Sequence, residues 1–293
     1  MTIKIAVSSG HGMSTAGKRT PPMTKDLYIN GKLVRKKGEV IHEKEFNKAS
    51  AEYLIKALKR CGFEVINVSP GNSDIPLYDR VLKANSGGVD FYISKHYNAL
   101  GNCSYFQGKA KGIVSIYNNG SARGEKAARL IQCELIKAHG GYNYGARADE
   151  DISGFTLYEL RQTRMVAVLT ESGFMDNVEE AKRMLDPVFQ KKDGEATCRG
   201  ICKYFGVKYI EEENKEAIEG NKDVPSYIKI IKNVNCRSKP NFSKDEYIIK
   251  ELKVGEVFTV VERVKSNCST DMYKLKSGVY VTTSNKYVEE YKK

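Results

Sequence analysis

The 293-residue chain has no tryptophan, only four histidines and no apolar run approaching 18 residues. A membrane-spanning helix needs about 20 apolar residues, so we expect no membrane insertion. The seven cysteines are odd in number and lack the regular spacing of a disulfide framework, which predicts reduced thiols. Only a brief apolar stretch precedes His11, and it does not resemble a cleavable signal peptide. We therefore expect the protein to accumulate in the cytoplasm.

Acidic residues are in deficit, because Lys and Arg exceed Asp and Glu by 12. Such a chain is attracted to polyanions. The sequence has no helix-turn-helix, zinc-finger or RNA-binding aromatic motif, so nucleic acid is not the expected partner. From Glu211 onward there are 16 basic and 14 acidic residues, which leaves a net charge of +10 on the first 210 residues. The positive surplus therefore belongs to the N-terminal part.

Strand-like and helical patterns alternate as far as Phe205 and then give way to a different composition. The alternation predicts an α/β fold, a layered and largely parallel twisted sheet flanked by helices. Residues 211–225 are mostly charged or polar and indicate a solvated linker. Short β-rich runs follow and predict a small all-β barrel. We expect an α/β domain at residues 1–210, the linker at 211–225 and the second domain at 226–293.

Three predicted strands end on groups that bind metals or move protons. Residues 3–8 run into Gly10-His11-Gly12, residues 90–94 run toward His96, and residues 165–170 run into Glu171. Ligands bind outside the carboxyl ends of strands in open α/β sheets, so these side chains should meet in one crevice. Two histidines and a glutamate in one crevice predict a catalytic metal site.

Residues 41–60 have the periodicity of an amphipathic helix, with Glu43 in its first turn. On position alone, capping at the positive end of the helix dipole is favoured over a metal role for Glu43. Zinc hydrolases, however, take three His or Glu ligands and leave a position for water, and a nearby carboxylate handles the proton. His11, Glu43, His96 and Glu171 together meet that requirement.

The remaining chemically active residues have simpler interpretations. His42 and His139 are predicted to be surface residues, since His42 points about 100° away from Glu43 on the helix and His139 ends another helix. Cys198 and Cys202 lie on one helical face and are predicted to be buried thiols rather than a metal or redox pair. An Asn-Gly pair predicts a β-hairpin at residues 27–34, with a solvated excursion as the alternative. This hairpin, residues 140–154 and Arg161 are candidate walls of the crevice.

Four motifs resemble, in their order along the chain, the signature of zinc-dependent N-acetylmuramoyl-L-alanine amidases of the type-3 class. They are Gly10-His11-Gly12, Glu43-Lys44-Glu45-Phe46-Asn47, Ser94-Lys95-His96-Tyr97-Asn98-Ala99 and Val168-Leu169-Thr170-Glu171-Ser172-Gly173-Phe174-Met175-Asp176-Asn177. The resemblance covers residues 3–206 and implies a zinc amidase fold. It also implies that His11, Glu43 and His96 bind zinc and that Glu171 is the acid/base that activates the metal-bound water. The segment between His11 and Glu43 is longer than in the shorter family members.

The C-terminal part is similar to bacterial SH3-like (SH3b) wall-binding domains. Residues 234–240, 252–257 and 280–282 carry this similarity. Tyr273 and Tyr280 are candidate ring contacts for a wall ligand, and core packing is the alternative. The similarity implies that the second domain is an SH3-like barrel that holds the protein on an anionic wall.

The two resemblances together imply a peptidoglycan hydrolase that cleaves the amide bond between N-acetylmuramic acid and L-alanine with zinc-activated water. Without a signal peptide, such a protein looks like a bacteriophage endolysin that stays in the host cytoplasm until it is released to a Gram-positive wall. Its expected partners are peptidoglycan and the anionic wall. A host autolysin, a zinc peptidase acting on wall peptides and a non-catalytic wall-binding protein remain as alternatives. The oligomeric state is left open.

Overall fold

The computed structural model describes residues 2–212, 224–268 and 270–291, and most of the predicted linker lies outside these ranges. The chain divides into two compact units, Met1–Glu212 and Glu213–Lys293. In the part of the chain that is described, no helix has the length and apolar character needed to cross a bilayer.

The first unit is built on a six-stranded sheet with the order β4-β1-β5-β8-β6-β7. Every neighbouring pair is parallel except β8 and β6, which are antiparallel. The sheet is therefore mixed but largely parallel, and the predicted α/β fold is confirmed. Its strands are β1 Lys4–Ser9, β4 Glu64–Asn67, β5 Phe91–Asn98, β6 Ile113–Tyr117, β7 Asn143–Ala148 and β8 Val166–Phe174.

Three long helices cover one face of this sheet, namely α1 Glu43–Arg60, α3 Ala122–His139 and α7 Pro187–Phe205. Their apolar residues join Val7, Ile93 and Val168 of the sheet in the larger core. Close helix packing depends on two glycines, because a Cβ on Gly194 would lie 2.7 Å from the Leu54 amide nitrogen and one on Gly200 would lie 2.5 Å from the Ile131 Cα. The closest helix contacts thus require residues without side chains.

Shorter helices lie toward the opposite face, where alternate strand residues such as Ala6, Tyr92 and Leu169 form a second core. This core includes Ala84 from α2 Leu77–Ser86 and Leu160 from α5 Tyr158–Gln162. The first unit also contains α4 Asp149–Ser153 and α6 Val178–Ala181, the latter followed by a 3₁₀ turn at Lys182–Leu185. The even-numbered residues of β5 and the odd-numbered residues of β8 face this side, which is where the candidate site forms.

The predicted hairpin is confirmed as β2 Leu27–Ile29 paired antiparallel with β3 Lys32–Arg35. Asn30 and Gly31 between them both have positive φ, 50° and 75°, as a tight two-residue hairpin turn requires. Leu27 and Val34 pack in an apolar cluster with Phe46 and Tyr97. The hairpin is thus anchored next to the residue that follows His96.

Some predicted element boundaries were wrong. We expected strands to stop at residues 94 and 170, but β5 and β8 continue to Asn98 and Phe174, so His96 and Glu171 lie inside strands rather than after them. The pairing continues because β8 bonds to β5 on one side and to β6 on the other. Residues 140–154 are not a plain loop, since they contain β7 and α4.

The second unit is an all-antiparallel sheet with the order β11-β10-β14-β13-β12-β9-β15. Its strands are β9 Tyr227–Ile230, β10 Val234–Arg237, β11 Ile248–Leu252, β12 Val257–Val264, β13 Met272–Leu275, β14 Tyr280–Thr282 and β15 Val288–Tyr291. The all-β character is confirmed. Tyr273 is fully buried and packs in the core of this unit, whereas Tyr280 is half-buried.

Candidate active site

Three elements deliver the predicted ligand residues to one point. His11 follows β1, Glu43 is the first residue of α1, and His96 lies near the end of β5. His11 has a φ of 58°, a sparsely populated conformation for a residue with a side chain. Gly10 is required beside it, because a Cβ there would lie 2.1 Å from the His96 ring carbon Cε1. The backbone before His11 is thus shaped to admit the second imidazole.

Glu43 lies between the two imidazoles. His11 Nε2 is 3.3 Å from Glu43 Oε2, and His96 Nδ1 is 3.1 Å from Glu43 Oε1. Asn47 Nδ2 and the Tyr97 backbone N–H also donate to Glu43 Oε1, at 3.0 and 3.1 Å. One donor atom from each of His11, Glu43 and His96 falls within 4.8 Å of the others, a grouping able to hold a metal ion. The structure therefore brings all three predicted ligands together.

Burial and charge set the protonation of this cluster. Burial lowers the pKa of His11 to about 4, so its imidazole is neutral near pH 7. Burial opposes ionisation of Glu43, but the hydrogen bond from His96 and the nearby His11 bring its pKa down to about 2. Burial also opposes charge on His96, but the nearby Glu159 carboxylate and the hydrogen-bonded Glu43 carboxylate raise its pKa to about 9. A cation that binds Glu43 and both imidazoles would displace the proton from His96.

Glu171 sits beside His96 in the sheet. The two residues are register partners on β8 and β5, so their side chains emerge on the same face. Glu171 Oε2 is buried without a hydrogen-bond partner among the described residues. Burial is the main cause that raises the pKa of Glu171 to about 8, and the Glu43 charge adds to it. A carboxyl group with such a pKa can take up and release a proton near neutrality.

Two residues behind His96 were missed by sequence reasoning. Ser94 Oγ lies 3.1 Å from His96 Nε2 and donates to Glu159 Oε2 at 3.4 Å. Glu159 is buried on α5, and its other carboxyl oxygen accepts a hydrogen bond from Ser8 Oγ at 2.9 Å. In the sequence, the sign that could have pointed to Glu159 is that an acidic residue stands between Tyr158 and Leu160, in a short apolar run just before the Glu171 strand.

The other predicted residues have structural roles. His42 precedes α1, and its backbone N–H donates to Glu45 Oε1 at 2.8 Å. His139 is not a solvated residue as predicted, because its side chain is 2% exposed, 3.6 Å from the Asp193 carboxylate and packed on the Phe189 ring. Cys198 and Cys202 are buried as predicted, and Cys61 joins them with its Sγ 3.9 Å from that of Cys198. The three sulfur atoms lie close enough to hold a metal ion, so the absence of a metal role stays a prediction. All seven cysteines are free.

The candidate crevice walls remain predictions, but their positions are now defined. The hairpin shares an apolar cluster with Tyr97. Tyr144 of β7 has its ring 5.9 Å from that of Phe174, at the end of β8. Arg161 is exposed on α5. The first two candidates therefore have contacts near the strand ends that carry His96 and Glu171.

Two imidazoles with a carboxylate between them, beside a second carboxylate whose Oε2 has no hydrogen-bond partner among the described residues, are typical of hydrolases that use a metal ion. Comparison with known families narrows this class. The model for N-acetylmuramoyl-L-alanine amidase matches residues 5–203, and a model described as Domain of unknown function (DUF5776) matches residues 221–288.

Individual proteins agree with the family match. The endolysin of Bacillus phage SPP1 is 29% identical over 243 residues, which cover 80% of this chain and 85% of that protein. The N-acetylmuramoyl-L-alanine amidase of Clostridium difficile 630 has a similar fold, with a TM-score of 0.57 and 24% identity over 71% of this chain and 98% of that one. The catalytic domain of CwlV from Bacillus (Paenibacillus) polymyxa gives a TM-score of 0.56 and 23% identity, covering 71% of this chain and all of that one.

The family match spans more than half of the chain, so the chain belongs to the N-acetylmuramoyl-L-alanine amidase family. It is an enzyme that hydrolyses the amide bond between N-acetylmuramic acid and L-alanine in peptidoglycan. The predicted family and activity are confirmed. The zinc ion, the roles of individual site residues and the SH3-like nature of the second unit remain predictions.

Proposed function

We propose that this amidase works with a zinc ion held by His11, Glu43 and His96, and that Glu171 is its catalytic acid/base. The observation that carries the proposal is the convergence of one donor atom from each of the three ligand residues within 4.8 Å. The neighbouring strand carries Glu171, whose Oε2 has no hydrogen-bond partner in the described part of the chain. Two imidazoles and one carboxylate are a usual ligand set for catalytic zinc, with a position left for water.

The protonation of the site fits this assignment. Neutral His11 and ionised Glu43 are already in the forms that bind a metal ion. When bound, zinc polarises a carbonyl group and lowers the pKa of water. Glu171 takes the proton from the attacking water and passes it to the leaving amine of alanine, which a carboxyl group with a pKa of about 8 can do near neutrality. His11 and His96 keep fixed positions because both contact Glu43.

The bond cleaved and the metal requirement are tested together. Purified peptidoglycan digested with the enzyme should show new amino termini on alanine and no new reducing sugar ends. A chelator should abolish the release of these termini, and zinc should restore it. New termini on D-alanine or on the diamino acid would instead indicate a peptidase. A His96→Ala protein that still held stoichiometric zinc and cleaved walls would contradict the ligand set.

We further propose that the protein is a phage endolysin whose second unit, an SH3-like domain, binds the anionic wall of a Gram-positive host. Support comes from the similarity to the SPP1 endolysin along most of both chains and from the antiparallel sheet of the second unit. Cells that produce the protein should stay intact until their membrane is permeabilised and then lyse. Lysis without permeabilisation would favour an exported autolysin.

A separate measurement concerns the binding partner. The metal-free full-length chain should sediment with purified walls and be released by salt, since its net charge is +12. Duplex DNA serves as the matched polyanion. Tighter binding to DNA than to walls would contradict the proposed wall recognition.

A further inference from the structure

A buried carboxylate that the proposed reaction does not use lies directly behind His96. Glu159 is 4% exposed, although it carries an ionisable group. Its Oε1 accepts hydrogen bonds from Ser8 and from the Tyr92 hydroxyl, and its Oε2 accepts one from Ser94. A buried acid with this many donors is ionised, because each donor stabilises the charged form.

Arg80 supplies the balancing charge for Glu159. Its side chain is 1% exposed, and Nη1 lies 3.7 Å from Glu159 Oε1. The same Nη1 donates to Ser8 Oγ at 3.3 Å, and Nη2 bonds to Asp74 Oδ1 at 3.0 Å. Breaking a buried ion pair is costly, so Arg80 and Glu159 hold each other in place. The hydroxyl groups that contact Glu159 all donate to it, which fixes the direction of the hydrogen bonds in this network.

Ser94 transmits this orientation to His96. The separation of His96 Nε2 from Glu159 Oε2 is 3.8 Å, too long for a hydrogen bond, whereas Ser94 Oγ is 3.1 Å from Nε2. Ser94 has one hydroxyl proton, which goes to the Glu159 carboxylate. In the neutral imidazole that a metal ion binds, Ser94 Oγ then accepts from His96 Nε2–H, and Nδ1, which faces Glu43, keeps the lone pair for the ion.

We propose that Glu159, acting through Ser94, is a positioning residue that fixes the tautomer and the ring orientation of His96, so that Nδ1 serves as the metal ligand. The inference rests on the metal site proposed above. Outer hydrogen-bond partners of this kind orient ligand histidines, and their removal typically weakens metal affinity by about 10-fold to 100-fold.

Glu159→Gln is the most informative variant because it keeps the shape of the side chain. Ser8 and Tyr92 both donate, so they would hold the amide oxygen, and the NH₂ group would point at Ser94. Ser94 would then accept from the amide and donate to His96 Nε2. That reversal puts the proton on Nδ1, the nitrogen that faces Glu43.

The test measures the zinc affinity of the full-length chain by competition with a chromophoric chelator. Glu159→Gln and Ser94→Ala should each weaken zinc binding by about 10-fold to 100-fold. Glu134→Gln is the matched control, because Glu134 is also a buried, ion-paired glutamate but lies on α3, where it pairs with Lys137 of the same helix and Lys203 of α7. It should lower the melting temperature and leave zinc affinity unchanged.

Nitrogen NMR of the histidine rings gives a second readout that a purely structural effect would not change. In the zinc-loaded wild type, His96 should show a metal-shifted Nδ1 and a protonated Nε2, and this pattern should be lost in Glu159→Gln. If Glu159→Gln does not fold, Ser94→Ala decides the question by the same two measurements.

Three results would overturn the inference. The first is wild-type affinity and the wild-type NMR pattern in both variants while His96→Ala loses zinc. The second is a loss of affinity in Glu134→Gln as large as in Glu159→Gln, which would indicate general destabilisation. The third is normal zinc binding by His96→Ala, which would refute the proposed ligand set itself and is therefore distinguishable from the other two.

Discussion

At the scale of single residues, Glu43 has the position for both roles that the sequence presented as alternatives, a charge at the helix start and the proposed metal ligand. It is the first residue of α1, where its backbone N–H donates to the Lys18 carbonyl at 2.9 Å, and a negative charge there is favoured by the helix dipole. Its side chain points to the imidazoles of His11 and His96. A helix start can therefore position a ligand while the dipole stabilises the ionised form of that ligand.

Glu171→Gln should keep the fold and the zinc but lose turnover. The amide cannot exchange a proton, and removal of a general acid/base typically costs about 100-fold to 10,000-fold. The measurement is the rate of new alanine termini together with the zinc content. Glu179→Gln is the control, because Glu179 is an exposed glutamate that pairs with Lys182 nearby in the chain. Near-normal turnover in Glu171→Gln would assign proton transfer to another group.

Gly10→Ala should weaken metal binding without touching a ligand. The added Cβ would lie 2.1 to 2.5 Å from three atoms of the His96 ring, so the ring has to move. Overpacking of this kind typically destabilises by about 1–3 kcal/mol. Zinc affinity and melting temperature should both fall, whereas Gly108→Ala, where no atom lies within 4 Å, should change neither. Unchanged zinc affinity in Gly10→Ala would mean that the ring position is not critical.

Some of these residues could be predicted and others could not, for physical reasons. His11, His96 and Glu171 follow apolar runs that read as strands, and motif order connects them to Glu43. Glu159 does not follow a predicted strand, and its role could not be predicted. Its partners Ser8 and Ser94 are far from it in the sequence, and only the fold brings them together.

At the scale of elements, strand ends are set by tertiary pairing. β8 continues past Glu171 because Val114 of β6 is its register partner on one side and His96 on the other. Gly173 permits this extension, since a Cβ there would lie 2.3 Å from the Tyr97 hydroxyl. The local sequence shows which residues form the apolar part of a strand. It does not show which neighbouring strands keep the following residues extended.

The packing of α7 on β5 gives a prediction about stability. Lys95 Nζ and Asp193 Oδ2 form an ion pair at 2.8 Å with both side chains fully buried. Asp193→Asn leaves Lys95 without its charge partner, and breaking such a pair typically costs about 3–5 kcal/mol. Glu125→Gln breaks an exposed, solvent-screened pair with Arg129 and should cost far less. Equal costs by chemical denaturation would contradict this account of α7.

The pH dependence of the same pair has a definite sign. Burial opposes ionisation of Asp193, but Lys95 and His139 lower its pKa below the ordinary value. Its stabilisation is present above the unfolded pKa of about 3.9 and is lost as pH falls through the folded pKa. In metal-free protein, the difference in unfolding free energy between wild type and Asp193→Asn should therefore shrink below about pH 4. A difference that grew on acidification would contradict the assignment.

At the scale of the whole molecule, the charge and the chemistry are carried by the same part of the chain. The first unit, residues 1–212, carries a net charge of +8 and contains His11, Glu43, His96 and Glu171. A positive catalytic unit is attracted to an anionic wall by itself. The second unit carries half that net charge, +4, so we expect it to contribute specific contacts more than long-range attraction.

A chain that ends at Glu212 should fold, bind zinc and cleave peptidoglycan without the second unit. The cut is placed after Glu212 because Arg60 Nε donates to the Ile210 carbonyl at 2.9 Å and Lys191 pairs with Glu212 at 2.6 Å, contacts that a cut at residue 210 would weaken or remove. Turnover on small soluble wall fragments should equal that of the full chain, which serves as the control. Cleavage of intact walls should fall, because the second unit no longer raises the effective concentration at the wall. An insoluble or metal-free product would show that the two units fold as one. Full activity on intact walls would show that the second unit does not contribute to wall binding.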